Sequence, residues 1–191
     1  MEQTRAALFK LSGMPRSDAE ATERPAELRA DPDYFWELAS PHKQKLYNFI
    51  HKALSFSEEA DDVYQETLLR GLKYIRSYDE KKNFGSWLFA IAHNEVKKHL
   101  KNSRGRALLA LAETLPAQDG TPRAALVREV YLFAEGLKPR HKEIFFLFYD
   151  SGFSIAEISH ITGKRSGNVK FILNRARKVL RERLGASDEQ P

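Results

Sequence analysis

Between Leu137 and Leu184 the apolar positions recur at intervals of three and four, the spacing that lines one face of an α-helix. Ile155, Ile158 and Ile161 form one stripe, and Val169, Ile172, Leu173, Ala176, Leu180 and Leu184 form a second. Ser154-Ile155-Ala156-Glu157 precedes the first stripe as a capping box, in which serine and glutamate side chains satisfy orphan N–H groups at a helix start. Gly163 falls between the stripes, where a tight turn is best made by a residue without a Cβ. The pattern predicts a helix-turn-helix. The outer face of its second helix carries Asn168, Lys170, Phe171, Asn174, Arg175 and Lys178. Cations can meet phosphate and amides can read base edges, so this face suits a DNA major groove.

Earlier in the chain the same periodicity predicts further helices. A short one runs over Asp33 to Ala39. Ser40-Pro41 reads as N-cap and first position of another, extending to about Phe56, since proline lacks only an N–H that is orphaned there anyway. A helix from Ser57 to Arg76 is expected to bury Tyr64, Leu68, Leu72 and Ile75. Asp62, Glu66, Arg70 and Lys73 lie on its opposite face, with Leu69 exposed among them. Ser77 to Asn83 is a polar loop. Phe84 to Asn102 is a helix turning Phe84, Leu88, Ile91, Ala92 and Val96 to the core, and Trp87 is better placed in the core than at the surface. Pro122 to Glu135 and Pro139 to Ser151 complete the set. No segment shows strand alternation. The expected fold class is all-α, with two small helical domains over residues 31–103 and 123–185. A mobile extension over 1–30 (with a short helix near Ala6 to Leu11), a linker over 104–122 and a tail over 186–191 flank them.

Charge sharpens the picture, because two short helices around a glycine are common and a basic face is often merely solvated. Leu137 to Gly185 holds eleven Lys/Arg against four Asp/Glu, a net +7, while the whole chain of 191 residues nets +5. Pro41 to Arg106 nets +5, Met1 to Ser40 nets −3 and Ala107 to Gly136 nets −2. Two basic blocks on a tether suggest two nucleic-acid-facing modules. There are no cysteines, which excludes thiolate zinc sites and cysteine catalysis. The six histidines lack metal-ligand spacing, so no metal or other cofactor is expected. No apolar run approaches ~20 residues and the first residues do not read as a signal peptide, so membrane insertion is not expected and the chain is placed in the cytoplasm.

Two segments then become specific together. Ala60-Asp61-Asp62-Val63-Tyr64-Gln65-Glu66-Thr67 is followed about twenty residues on by Phe84-Gly85-Ser86-Trp87-Leu88-Phe89-Ala90-Ile91-Ala92-His93-Asn94. These resemble the second region of bacterial RNA polymerase sigma factors of the extracytoplasmic-function type. Leu137, Arg140, Ser154, Glu157-Ile158, Gly163, Gly167, Val169-Lys170 and Arg175-Ala176-Arg177 resemble the same family's fourth region. The resemblance spans roughly Asp33 to Gly185. It implies a non-enzymatic subunit that binds core RNA polymerase at its clamp and flap, recognises promoter DNA, and is regulated by an anti-sigma factor. Asp62, Gln65, Glu66 and Leu69 match the clamp-docking surface. Tyr78, Asn83, Phe84, Ser86 and Asn94 match elements that hold a base extruded from the melted strand, where stacking and edge hydrogen bonds replace lost pairing. Lys97, Lys98 and Lys101, with Arg104 and Arg106, would meet phosphates. Asn168, Lys170, Phe171, Asn174, Arg175 and Lys178 match the helix that reads the distal promoter element. Asn168 stands where the family most often has threonine, Phe171 and Ile172 where small polar and basic residues are common, and Ser159 where alanine is usual. His93 is assigned no role.

Two other readings use the same residues. An autonomous helix-turn-helix regulator would use its N-terminal domain for sensing or dimerisation and would bind duplex DNA tightly alone. A nucleic-acid enzyme would use Asp61, Asp62 and Glu66 as metal ligands, and it lacks a convergent set of further ligands.

Overall fold

A computed structural model describes residues 32–102 and 122–183, and no strand occurs among them. The expectations for residues 1–30, for the linker before Pro122, for Arg104, Arg106 and Leu184, and for the tail lie outside the described residues. Eight α-helices are described: α1 (Pro32–Ala39), α2 (Lys43–Ala53), α3 (Ala60–Tyr74), α4 (Phe84–Asn102), α5 (Pro122–Glu135), α6 (Pro139–Tyr149), α7 (Ile155–Thr162) and α8 (Ser166–Arg183).

Ser40 and Pro41 do not open a long helix as expected. They lie in a single 3-10 turn, Ser40–His42, and no side chain caps either it or α2. Nor does α2 reach Phe56. It stops at Ala53, and the chain turns through Ser55 and Phe56, both left-handed at φ of 55° and 56°. The Phe56 N–H closes this turn on the His51 carbonyl at 2.7 Å.

The buried stripe of α3 is not the expected one. Ala60, Val63, Thr67 and Gly71 face inward, with Ile75 just beyond the helix, while Tyr64, Leu68 and Leu72 are only half-buried. The reason is distance of approach. Small residues let α3 lie close against α1 and α4, and the larger side chains flank that seam. A Cβ added at Gly71 would stand 2.7 Å from the Phe35 ring and 3.2 Å from a Leu88 methyl. The Phe35 ring is fully buried. Gly71→Ala is therefore expected to lower stability by roughly 1–3 kcal/mol, the usual cost of overpacking, although alanine is otherwise the better helix former. Thermal melting checks it, and an unchanged or raised Tm would show the seam to be looser than it is drawn.

α4 spans the expected residues and buries Phe84, Leu88, Phe89, Ala92 and Val96; Ile91 is half-buried instead of core. It also buries His93 and Glu95, which periodicity alone did not select. In the C-terminal half the capping box forms as expected. Ser154 Oγ accepts from the Glu157 N–H, and Glu157 Oε2 accepts from the Ser154 N–H at 2.8 Å. Gly163 adopts φ +65°, a left-handed turn that favours glycine. Val169, Ile172, Leu173, Ala176 and Leu180 are buried, so α8 presents its remaining face to solvent.

The two halves pack on each other. α2 lies against α6, and α4 lies against α7. The Phe89 and Phe153 rings meet edge to face with centroids 4.7 Å apart.

Candidate nucleic-acid interface

The acidic face of α3 divides into free and committed groups. Asp62, Gln65 and Leu69 are exposed, Leu69 at 60%. Glu66 is half-buried and engaged: the Arg70 Nε donates to it at 2.7 Å and lies 3.0 Å from a Glu95 oxygen. The Glu95 carboxylate is buried, and Lys98 approaches it at 3.8 Å. Glu66 thus braces the guanidinium that neutralises a buried carboxylate. Asp61 is turned aside as well, with Oδ1 3.1 Å from His51 Nε2. His51 stacks on Tyr47, and Tyr47 meets Tyr64 edge to face. Among the described residues no three His, Asp or Glu side chains gather as a metal site would require.

The segment before α4 is an aromatic cluster. Tyr78, Phe84 and Trp87 pack ring on ring with centroids 5.1 to 5.4 Å apart. The Tyr78 hydroxyl donates to the Lys82 carbonyl at 2.5 Å, closing the loop. Asn83 is exposed, and its Oδ1 accepts from the Ser86 N–H at 2.8 Å, holding the first turn of α4. Tyr78, Phe84 and Ser86 are all buried. Ser86 lies under α7, with Oγ 3.5 Å from Glu157 Oε1. The structure brings these groups together, and of Tyr78, Asn83, Phe84 and Ser86 only Asn83 is presented to solvent. Further along α4, Asn94, Lys97, Lys98 and Lys101 are all exposed, at spacings that place them on one side of the helix.

On α8, Asn168, Lys170, Phe171, Asn174, Arg175 and Lys178 are all exposed. Beside them is a cleft of about 220 Å³ lined by Phe133, Leu137, His141, Ile172, Arg175 and Val179. Burial lowers the His141 imidazole pKa below its ordinary value, and the charges of Lys138, Arg175 and Lys164 lower it further. The field around this face is positive.

Sequence reasoning missed the groups that join the halves. His93 Nδ1 meets the Glu143 carboxylate in a short contact, with both side chains nearly excluded from water. Lys52 Nζ makes a similar short pair with Asp150. Burial pulls the Lys52 pKa down, but Asp150 and Tyr131 pull it up further, and the net shift is upward. Lys142 Nζ donates to Ser55 Oγ at 2.7 Å and to Glu135 at 3.0 Å, and Ser55 Oγ donates to Glu135 at 2.9 Å. Helical spacing held a usable hint. Lys52 follows Phe49 by three, His93 follows Phe89 by four, and Glu143 precedes Leu147 by four, so each charge sits on an apolar stripe. Their partners lie 50 and 98 residues away, beyond any local pattern.

The described residues form a helical pair of modules, each with an exposed basic face and one with an acidic and apolar surface as well, a distribution of charge that suits nucleic acid. The Sigma-70 region 2 family pattern matches residues 38–106, and that of Sigma-70 region 4 matches residues 128–180. The ECF RNA polymerase sigma factor EcfG of Rhodopseudomonas palustris is 33% identical over 141 residues, 71% of this chain and 78% of that protein. The ECF RNA polymerase sigma factor BldN of Streptomyces coelicolor is 29% identical over 158 residues, 78% of this chain but 60% of that longer relative. Among solved structures, the sigma factor RpoE of Bartonella quintana, held in complex with the anti-sigma factor NepR, aligns with TM-score 0.66 and 26% identity over 82% of this chain and 99% of that one. The chain belongs to the ECF RNA polymerase sigma factors, which are transcription initiation factors. No helix among the described residues is long and apolar enough to cross a membrane.

Proposed function

We propose that this sigma factor works as a non-enzymatic specificity subunit in the bacterial cytoplasm. Residues 31–103 engage the polymerase clamp and the melted proximal element. Residues 123–185 read the distal element and contact the flap, and residues 104–122 link the two. The observation that carries this is the division of exposed groups. Asp62, Gln65 and Leu69 form an acidic and apolar docking face on α3, separate from the basic faces of α4 and α8. Docking and DNA contact therefore need not compete for the same side chains. Anti-sigma control follows from the likeness to a sigma factor in complex with an anti-sigma factor.

The burial of Tyr78, Phe84 and Ser86 bears on melting. Ser86 lies against α7, so the halves must separate before Ser86 can meet a strand, whereas Tyr78 and Phe84 are buried by ring packing within the N-terminal half. Asn94 already faces solvent beside Lys98 and Lys101. Asn94→Ala is expected to slow strand opening on duplex promoters and to be partly rescued on templates unpaired beforehand, because the cost of unstacking, a few kcal/mol, has then been removed. Permanganate footprinting on the two templates measures this; equal defects would assign Asn94 a structural role. The function itself is tested by run-off transcription with purified core polymerase on a promoter library. The expected result is discrete transcripts that depend on this protein. Tight sequence-specific duplex binding without polymerase, and no transcripts with it, would overturn the proposal.

A further inference from the structure

We propose that Phe171 is a specificity-determining residue of the reading helix, and that it recognises the 5-methyl group of a thymine in the distal element. This rests on the assignment of α8 to that element. Phe171 is 61% exposed, and no other phenylalanine among the described residues is exposed. Its ring makes no aromatic contact among the described residues, whereas the Tyr78, Phe84, Phe89 and Phe145 rings all do. It contributes nothing to the core, which α8 supplies from Val169, Ile172, Leu173 and Ala176.

Its position is central to the outward face. Asn168 lies three residues before it, and Asn174, Arg175 and Lys178 lie three, four and seven after it. Gly167, one turn earlier, offers no side chain to crowd the ring, and the space around it is open. Phe171 is the sixth residue of α8, in the N-terminal half that a recognition helix inserts into the major groove. The chemistry then narrows the ligand. Cations on this face suit phosphates and amides suit base edges, but a phenyl ring has neither donor nor acceptor. The apolar group that a base pair presents in the major groove is the thymine methyl. Its outward neighbours are Asn168, Lys170, Asn174 and Arg175, amides and cations of the kinds that meet base edges and phosphates.

The test uses the full chain assembled with core polymerase. A promoter library is randomised over the distal element, and that window is ligated in two forms, one with thymine and one with deoxyuridine, which pairs identically but lacks the methyl group. The wild-type holoenzyme should enrich thymine at one or two positions by about fourfold, the worth of burying one methyl group. That preference should vanish in the deoxyuridine window. Phe171→Ala, which empties no core, should fold normally, retain the other base preferences and lack this one in both windows. Equal wild-type enrichment in the two windows, or a thymine preference retained by Phe171→Ala, would overturn the proposal. So would a folded Phe171→Ala protein that no longer co-elutes with core polymerase, since the ring would then dock on protein. If the wild type enriches nothing in either window, the assignment of α8 fails with it; enrichment without any thymine preference defeats the Phe171 proposal alone.

Discussion

A chain carrying Asp62→Lys, Gln65→Lys and Leu69→Ala together should lose association with core polymerase, and all transcription from its promoter, while keeping its helicity and Tm. The three side chains are exposed, and substitutions at such sites usually move stability by only about ±0.5 kcal/mol. Leu69, open at 60%, is the kind of apolar anchor that concentrates interface energy, at roughly 2 kcal/mol or more for a central contact. Two new cations beside it would repel a basic partner surface. Together these changes should weaken binding by at least about a hundredfold. Glu66 is left in place deliberately. It braces Arg70 against the buried Glu95, so reversing its charge would damage the α3–α4 seam and confuse docking with folding. Fluorescence anisotropy with labelled protein and core enzyme gives the affinity. A folded triple variant that binds as well as the wild type would remove the docking face from α3.

The second large effect is expected at the contact between the halves. Glu143→Ala with Asp150→Ala leaves His93 buried without its carboxylate and Lys52 with Tyr131 but no counter-charge in the closed form. Removing one member of a buried pair typically costs 3–5 kcal/mol. That cost falls on the closed arrangement alone, because the open one lets both groups hydrate. The balance should move toward the open form by about a hundredfold or more. The chain has no cysteines, so a pair introduced at the exposed Lys73 and Glu182 takes two dyes cleanly. Energy transfer between them should fall in the double variant while helicity is kept, and capture by core polymerase should quicken. Unchanged transfer in a folded variant would show that the pairs do not hold the halves. The pH response has a defined sign. The Lys52 pKa is raised in the closed form, so its contribution is complete below the ordinary lysine value of about 10.4 and fades only as pH climbs past it. Through the Lys52 pair, closure should hold from neutral pH up to the ordinary lysine value of about 10.4 and loosen in stronger alkali.

What the sequence revealed was whatever is decided within a turn or two of helix. The Ser154–Glu157 cap, the Gly163 turn, the span of α4 and the inward stripe of α8 all follow from neighbours three or four residues apart, and they stand in the structure. The stripe of α3 departs from the pattern of large apolar residues because size is no guide to depth where two helices lie close. The inner positions belong to Ala60, Val63, Thr67 and Gly71, whose smallness sets how near the helices lie. The long helix expected from Ser40 failed because a proline after a serine is compatible with a 3-10 turn as well as with a first helical turn. The exposed cations and amides of α4 and α8 were legible from periodicity. The burial of Tyr78, Phe84 and Ser86 was not, because it arises from ring packing and from α7 lying across the start of α4. His93, Lys52 and Glu143 could not be assigned roles without knowing which distant helix would arrive opposite them.

The turn after α2 has a consequence of its own. Ser55 and Phe56 sit in left-handed backbone, which costs an L-residue with a side chain roughly 1–2 kcal/mol. Ser55 is also the hydroxyl that Lys142 and Glu135 grip. The turn is closed within the N-terminal half, where the Phe56 N–H donates to the His51 carbonyl and the Ser57 N–H to the Leu54 carbonyl, so its shape does not depend on that grip. The backbone cost is therefore borne by the N-terminal half alone, and what it secures is the place at which the Ser55 hydroxyl is offered to Lys142 and Glu135. Glycine at position 55 would relieve that cost and drop the hydroxyl at once. Alanine would drop the hydroxyl and keep the cost, so the two replacements should loosen the contact alike and differ in the stability of the N-terminal half.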